Sequence, residues 1–158
     1  EGLPTRKRDG TAMMIRHGRL FKRYDAKSGK LPPPGFEAAQ EPDAQTGHWP
    51  GWLPVDPSKP ENKHFVPLLS TARFLVDDTY ELCGPKFQGN PEGLSEPQFF
   101  RHGLEVLDCE KRDYDGLAFY LEREEIEGIV WHHRDGRMCK IKRRDYGLPW
   151  PIKREGQE

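Results

Sequence analysis

The chain has 158 residues, with 25 lysines and arginines against 26 aspartates and glutamates, so its formal net charge is −1. Hydrophobic residues make up 34% of it and aromatic residues 11%, enough to fill a core, which excludes an intrinsically disordered chain. The near-neutral charge provides no overall basic field for binding nucleic acid, although basic residues cluster in 6–23 and 140–144. The length predicts one domain, residues 1–158, whose natural N-terminus can lie upstream of Glu1.

The three cysteines, Cys83, Cys109 and Cys139, are odd in number and show no Cys-x-x-Cys spacing. Such cysteines are typical of reduced thiols, so we expect an intracellular, cytoplasmic protein. The sequence shows neither an apolar run near the roughly 18 residues of a membrane span nor a signal-peptide pattern. We therefore expect no membrane partner.

The first structural signal along the chain is a hairpin that follows Lys7-Arg8-Asp9-Gly10. Two short strands, Thr11–Ile15 and Leu20–Tyr24, flank the turn residues His17 and Gly18. A lysine before Asp-Gly suits an amine nucleophile, provided that desolvation or nearby cations favour its uncharged form. By itself the tetrapeptide is more typical of a solvated turn, so its meaning depends on partners elsewhere in the chain.

A proline-rich segment occupies residues 31–64 and is predicted to be one long loop. Proline lacks a backbone donor and fixes φ, so we expect no central strand and no helix interior here. Loops of this length are usually functional or disordered. Trp49 and Trp52 favour a loop held down by its own tryptophans over a lid or a polynucleotide-stacking surface.

The next regular pattern is an alternating strand over Phe74–Cys83. Alternation sets Glu81 on one face and, on the more apolar face, Phe74, Val76, Tyr80 and Leu82. Two short elements are expected after it, a strand over Leu104–Leu107 and a helix over 116–123 that Asp115 caps.

Strands over Glu127–His132 and Met138–Lys142 form a second predicted hairpin, because Asp135-Gly136 between them is a strong turn signal. A two-residue turn would set Trp131 opposite Lys140 and would place, on one face, Glu127, Lys140 and Lys142. The simpler alternative is a solvated face with a cross-strand ion pair.

Four short motifs occur in an order that resembles the signature of the covalent nucleotidyltransferase superfamily. They are Lys7-Arg8-Asp9-Gly10, Tyr80-Glu81-Leu82-Cys83-Gly84, Glu127-Gly128-Ile129-Val130 and Lys140-Ile141-Lys142. The superfamily contains ATP-dependent DNA and RNA ligases and mRNA capping enzymes, and the first two motifs are most similar to the RNA ligase 1 family. The resemblance implies an α+β fold, a nucleotidyltransferase (adenylation) domain of antiparallel sheets flanked by short helices, with the nucleotide in the cleft between the sheets.

The resemblance also implies how ATP is used. Lys7 would attack the α-phosphate of ATP and become Lys-AMP, and Asp9 would orient or deprotonate it. Glu127 would hold a divalent metal, Mg²⁺ or Mn²⁺, since such ions prefer carboxylate, phosphate and water oxygens. The other residues expected to bind ATP are Thr5, Arg6, Arg23, Glu81, Lys140 and Lys142.

Most of these ATP-binding residues have an expected partner on the nucleotide. Glu81 would accept hydrogen bonds from the ribose hydroxyls, and Arg23 would lie near the ribose or the incoming phosphate. Lys140 and Lys142 would cancel charge on the α-phosphate and disfavour the charged form of Lys7.

Adenine recognition is the least determined part of this prediction. Backbone groups near Thr5 and Arg6 would read its amino group. The aromatic partner of the ring is left open among Phe99, Phe100 and Trp131.

The substrate implied by the resemblance is RNA with 5′-phosphate and 3′-hydroxyl ends, joined in RNA repair through an adenylylated 5′ end, with no obligate protein partner. RNA rather than DNA rests on the resemblance alone. Three alternatives stay open: a DNA ligase, a capping guanylyltransferase that uses GTP, and a non-catalytic nucleotide- or RNA-binding remnant.

Overall fold

The computed structural model describes residues 2–152, and its backbone forms antiparallel strands and short helices. In chain order the elements are β1 (Leu3–Lys7), β2 (Thr11–Arg16), β3 (Arg19–Lys27), β4 (Glu37–Ala38), β5 (His48–Pro54), α1 (Leu69–Ala72), β6 (Asp78–Cys83), β7 (Gln98–Arg101), α2 (Tyr114–Arg123), β8 (Gly128–His132) and β9 (Met138–Lys142), with 3₁₀ turns at Pro60–Asn62, Val66–Leu68 and Arg143–Tyr146. The expected α+β class is confirmed. Within residues 2–152 no helix is long and apolar enough to cross a membrane.

Two compact units make up the chain. The internal unit is the segment Thr11–Leu82, and the flanking unit combines the residues on both sides of it. The expectation that residues 1–158 act as one nucleotidyltransferase domain stays a prediction.

The internal unit is built on the first predicted hairpin, which is confirmed as β2 and β3. His17 and Gly18 link these strands with φ values of 50° and 68°, the pair of positive values that a type I′ turn requires. The strands of this unit are ordered β4-β5-β3-β2-β6 and all neighbours are antiparallel. Its core consists largely of the buried side chains of Met13, Ile15, Leu20, Phe21, Tyr80 and Leu82.

The prediction of a strand-free proline-rich segment is wrong, because β5 lies between β4 and β3 in the sheet. The N–H of Val55 donates to the Leu20 carbonyl at 2.9 Å, so hydrogen-bonded positions toward β3 are odd-numbered. Pro50 and Pro54 occupy even positions, where no donor toward β3 is needed. On its other side Pro50 contributes only its carbonyl, which accepts from the Ala39 N–H at 3.0 Å.

The strand predicted over Phe74–Cys83 begins four residues later, at Asp78. Phe74 belongs to the turn that ends α1, because its N–H donates to the Thr71 carbonyl. It is 89% exposed and does not face the core. The predicted orientation of Glu81 is confirmed, since its neighbours along β6 on either side are buried and Glu81 itself is half-buried.

The flanking unit contains a three-stranded antiparallel sheet ordered β1-β8-β9. The first strand, Leu3–Lys7, was not predicted, and the motif lysine ends it. The predicted start of the hairpin directly after the motif is confirmed, since β2 begins at Thr11. One face of the sheet packs with α2 around a core of Cys109, Leu117, Leu121, Ile126, Ile129 and Trp131.

Two local predictions in the flanking unit need correction. The N-cap of α2 is Asp113, whose Oδ1 accepts from the Gly116 N–H at 2.7 Å, and not Asp115, which lies inside the first turn. The segment over Leu104–Leu107 forms no strand of its own. It runs beside β1 through an isolated bridge and backbone hydrogen bonds, one of them from the Leu107 N–H to the Pro4 carbonyl at 3.0 Å.

The register predicted for the second hairpin is wrong by one residue. The N–H of His133 donates to the Arg137 carbonyl at 2.8 Å, which leaves a three-residue loop instead of a two-residue turn. Asp135 favours this longer loop, because its side chain accepts from the Arg137 N–H at 3.0 Å. Lys140 therefore pairs with Val130 and not with Trp131. A shift by one residue exchanges the two faces of the strand, so the faces of the lysines have to be assigned again.

Candidate active site

The observed register brings the predicted lysines onto one face of the β1-β8-β9 sheet. Lys7 lies opposite Gly128, and Gly128 lies opposite Lys142. Thr5 and Lys140 flank Val130 in the same way. Directly opposed residues in antiparallel strands share a face. One face of the sheet thus carries Thr5, Lys7, Lys140 and Lys142, and the other carries the buried side chains of Ile129 and Trp131.

Gly128 stands between Lys7 and Lys142, where a side chain does not fit. A Cβ at this position would overlap the Ile141 carbonyl oxygen and lie 2.9 Å from the Cα of Lys142. The missing side chain therefore lets the backbone of β9 lie close to β8 at this point.

The amine of Lys7 contacts the carboxylate of Glu127 through a hydrogen bond and ion pair from Nζ to Oε2. Glu127 precedes β8, so strand alternation does not determine the face on which its side chain lies. The prediction that Glu127 shares a face with Lys140 and Lys142 therefore cannot be derived from alternation. Burial raises the pKa of Glu127, while the hydrogen bond from Lys7 acts against this rise. The Asp9 carboxylate adds to the rise and the Lys142 ammonium opposes it, so four charged groups interact here.

Arg143 holds the backbone of Glu127 in place. Its N–H donates to the Glu127 carbonyl at 2.8 Å, and its guanidinium is buried. That guanidinium binds carbonyls at the C-terminal end of α2, including Glu124 at 3.0 Å, and the Pro149 carbonyl at 2.9 Å. Arg143 therefore joins the end of β9 to α2 and to Glu127. No sequence pattern indicated this role.

Asp9 lies on the loop after Lys7 and is held from two sides. Its carboxylate accepts from the Trp150 indole N–H at 2.7 Å, and its backbone N–H donates to Glu92 Oε1 at 3.0 Å. Asp9 acts on Glu127 electrostatically, as noted above.

Glu92 fixes the chain on both sides of Lys7, and it was missed by the sequence analysis. Its side chain is 1% exposed and accepts from Arg6 at 2.8 Å and from Arg8 at 3.1 Å. The same arginines bind Glu105, whose side chain is 44% exposed. Glu92 lies in a Gly/Pro/Asn loop without a motif. The available signal was the pair of arginines on either side of Lys7, since guanidinium groups require hydrogen-bond acceptors.

Two of the three aromatic candidates for adenine, Trp131 and Phe100, can be placed by their burial or contacts. Trp131 is 7% exposed and lies on the core face, opposite the lysines. Phe100 lies under the guanidinium of Arg8, whose carbon is 3.9 Å from the ring centre. The backbone at Thr5 and Arg6, which was predicted to read the adenine amino group, pairs with Val130 and Ile129 of β8. The Arg6 N–H donates to the Glu105 carbonyl at 2.8 Å.

Two predicted ATP-binding residues belong to the internal unit. Glu81 lies on β6 opposite Ala12 of β2. Arg23 lies on β3 opposite Trp52, with its guanidinium 5.5 Å from the indole centre, and its side chain is exposed. Their roles toward ATP stay predictions.

The carboxylates around Lys7 suit a magnesium ion better than a metal with an all-protein ligand set. Among the described residues no cluster of three or more His, Cys, Asp or Glu side chains is arranged to hold a metal. Mg²⁺ commonly takes one or two carboxylates and completes its shell with phosphate oxygens and water. The interacting pair of Glu127 and Asp9 fits that pattern.

Comparison with known proteins gives consistent matches. A family model described as RNA ligase 1 matches residues 62–156, a range that contains Glu81, Glu127, Lys140 and Lys142. RNA ligase 1 of Pongo abelii is 30% identical over 68% of this chain and 43% of its own length. The mouse protein of the same name, from Mus musculus, is 31% identical over the same shares, and that of Danio rerio is 29% identical over 67% and 43%. The chain spans less than half the length of these relatives.

Proposed function

The chain belongs to the RNA ligase 1 family, and from this premise we propose that it performs the ATP-dependent adenylylation of an RNA ligase on Lys7. The observation that carries the proposal is the contact between the Lys7 amine and the buried Glu127 carboxylate. The same face of the sheet presents Lys140 and Lys142. A nucleophile, a proton acceptor and two cations for a phosphate are the groups that nucleotidyl transfer requires.

The amine of Lys7 has to lose a proton before it can attack. Glu127 touches Nζ, and burial raises the pKa of this carboxylate, which makes it a better proton acceptor than an exposed glutamate. In the proposed step Lys7 Nζ forms a bond to the α-phosphorus of ATP. The bond from that phosphorus to the bridging oxygen breaks, pyrophosphate leaves, and the proton of the amine passes to Glu127.

The lysines of β9 stabilise the charge of this step. Lys140 and Lys142 share the face of Lys7, and Lys142 already interacts electrostatically with Glu127. An ammonium group beside the α-phosphate stabilises the transition state, because it offsets the negative charge on the phosphate oxygens. Gly128, which pairs with both Lys7 and Lys142, lets their strands lie close together on either side of β8.

Mg²⁺ or Mn²⁺ would be held by Glu127 and Asp9 together with phosphate oxygens. The contact with Lys7 uses Oε2 of Glu127, so its second carboxylate oxygen is a further acceptor. A divalent ion at this place supplies positive charge that offsets the charge of the leaving pyrophosphate.

The nucleotidyltransferase fold and the remaining contacts to ATP are proposed from the resemblance of the motifs. Glu81 faces away from the buried side of its strand, as an acceptor for ribose hydroxyls must. Arg23 is assigned to the ribose or the incoming phosphate.

The two later steps concern RNA. The AMP group would pass from Lys7 to the 5′-phosphate of RNA, and a 3′-hydroxyl would then attack that phosphate and release AMP. Both steps again transfer a phosphate that carries negative charge, so the same lysine face serves them.

A ligation assay tests this function. The protein is incubated with ATP, Mg²⁺ and labelled substrates with 5′-phosphate and 3′-hydroxyl ends: nicked RNA, single-stranded RNA and nicked DNA. We expect an adenylylated or sealed RNA product. Sealing of the nicked DNA but of neither RNA would show that DNA is the substrate. If AMP were transferred to none of the substrates, a non-catalytic remnant would be favoured.

A further inference from the structure

A basic cleft of about 620 Å³ opens at one end of the β1-β8 pair. It is lined by Gly2, Leu3, Arg112, His132, His133 and Arg134. Among these described residues two are arginines, two are histidines and none is acidic, so the cleft suits an anion.

The cleft lies along the face that carries the proposed nucleophile. His132 pairs with Leu3, and Gly128 pairs with Lys7, four positions further along the same two strands. At about 3.3 Å per residue this separation is roughly 13 Å. Thr5 lies between them, and its hydroxyl is 2.9 Å from Nε2 of His132, which shows that both side chains project from one face.

The two arginines of the cleft are available for a ligand. Both side chains are exposed, and no carboxylate among residues 2–152 forms an ion pair with either of them. The nearby Asp135 is engaged otherwise, by His133 at 2.8 Å and by Arg137 at 2.7 Å. The guanidinium group keeps its charge at every working pH and binds phosphate oxygens in a bidentate manner.

We propose that this cleft, with Arg112 and Arg134, binds the phosphodiester backbone of the RNA whose end reacts at Lys7; this rests on the proposed function. A polynucleotide is long enough to reach from the lysine face to the cleft. Phosphate is also present in ATP, so the experiment has to separate the two sources.

The test compares a double variant, Arg112→Ala/Arg134→Ala, with a matched double variant, Arg73→Ala/Arg123→Ala, which removes two exposed arginines elsewhere. Binding of a short single-stranded RNA with a 5′-phosphate is followed by fluorescence anisotropy over a range of salt concentrations, without ATP. The rate of self-adenylylation and its KM for ATP are measured on the same proteins without RNA. Thermal unfolding by circular dichroism checks that each variant is folded.

We expect the cleft variant to bind RNA about tenfold more weakly, with a salt slope smaller by about 1.4, since each single-strand phosphate contact contributes roughly 0.7. The matched variant should resemble the wild type, and the KM for ATP should not change. Unchanged RNA affinity in a folded cleft variant would overturn the proposal. A raised KM for ATP with unchanged RNA affinity would assign the cleft to the triphosphate.

The two readouts also separate the cleft from the proposed function. If the wild type takes no AMP from ATP but its RNA affinity depends on the two arginines, the adenylylation proposal fails and the cleft stands. If adenylylation proceeds and RNA affinity does not depend on the two arginines, the cleft proposal fails and the adenylylation proposal stands.

Discussion

Lys7 and Glu127 are joined by a hydrogen bond from Nζ to Oε2 across 120 positions of the chain. The contact exists because β1 pairs with β8 so that Lys7 lies opposite Gly128, the residue after Glu127. A buried carboxylate is thereby held against the proposed nucleophile.

Glu127→Gln should lower the rate of self-adenylylation by about a hundredfold or more, since it removes the proton acceptor and a proposed metal ligand. Glutamine keeps the size and a hydrogen-bond acceptor, so folding should survive. The rate is measured in single-turnover experiments with labelled ATP. Glu105→Gln is the matched control, because Glu105 binds arginines and does not reach Lys7 in the described contacts. An unchanged rate in the Glu127 variant would remove the carboxylate from the reaction.

The stability of the protein should decrease as the pH rises above about 4.5, in part because of Glu127. Burial raises the pKa of this residue above its ordinary 4.5, so the folded state keeps a proton that the unfolded chain has released. That contribution is lost as the pH rises from the unfolded pKa through the raised folded pKa. Urea unfolding over this interval should show a smaller decline in Glu127→Gln than in the wild type. Equal declines would mean that burial does not act on Glu127.

Gly128→Ala should destabilise the flanking unit by about 1–3 kcal/mol, since the new methyl group would overlap the Ile141 carbonyl. It should also slow adenylylation by moving β9, which bears Lys140 and Lys142. Gly136→Ala is the control: its φ of 89° makes alanine unfavourable, but nothing lies within 4 Å of the added group. The control should lose stability without losing adenylylation. Chemical unfolding and adenylylation rates distinguish the two variants.

Glu92→Gln should cost about 1.5–3 kcal/mol of stability, because a buried carboxylate that binds two guanidinium groups is neutralised. Adenylylation should fall as well, since Glu92 also fixes the Asp9 backbone. Glu105→Gln makes the same chemical change at a carboxylate that is 44% exposed and should cost no more than about 1 kcal/mol. Equal effects in the two variants would show that burial does not decide the strength of this network.

The sequence predicted the features that depend on local pattern. The His17-Gly18 hairpin follows from its turn residues, and the orientation of Glu81 follows from alternation in β6. The α+β class follows from many short strands with one clear helical period. These features need no information about distant parts of the chain.

Features that depend on distant contacts were missed or wrong. β1 has a proline and little apolar alternation, and it becomes a strand only because β8 pairs with it. The register of the second hairpin depends on whether its loop has two or three residues. A shift of one residue moves both Lys140 and Lys142 to the opposite face of the sheet. The place of Glu92 depends on arginines more than 80 positions away.

Lys7 should become the carrier of AMP during the reaction. The direct measurement is peptide mapping by mass spectrometry after incubation with ATP and Mg²⁺, in parallel with GTP and with a Lys7→Ala variant. We expect an AMP adduct on the peptide that contains Lys7, and no adduct in the variant. An adduct on another residue, or a GMP adduct without an AMP adduct, would contradict it.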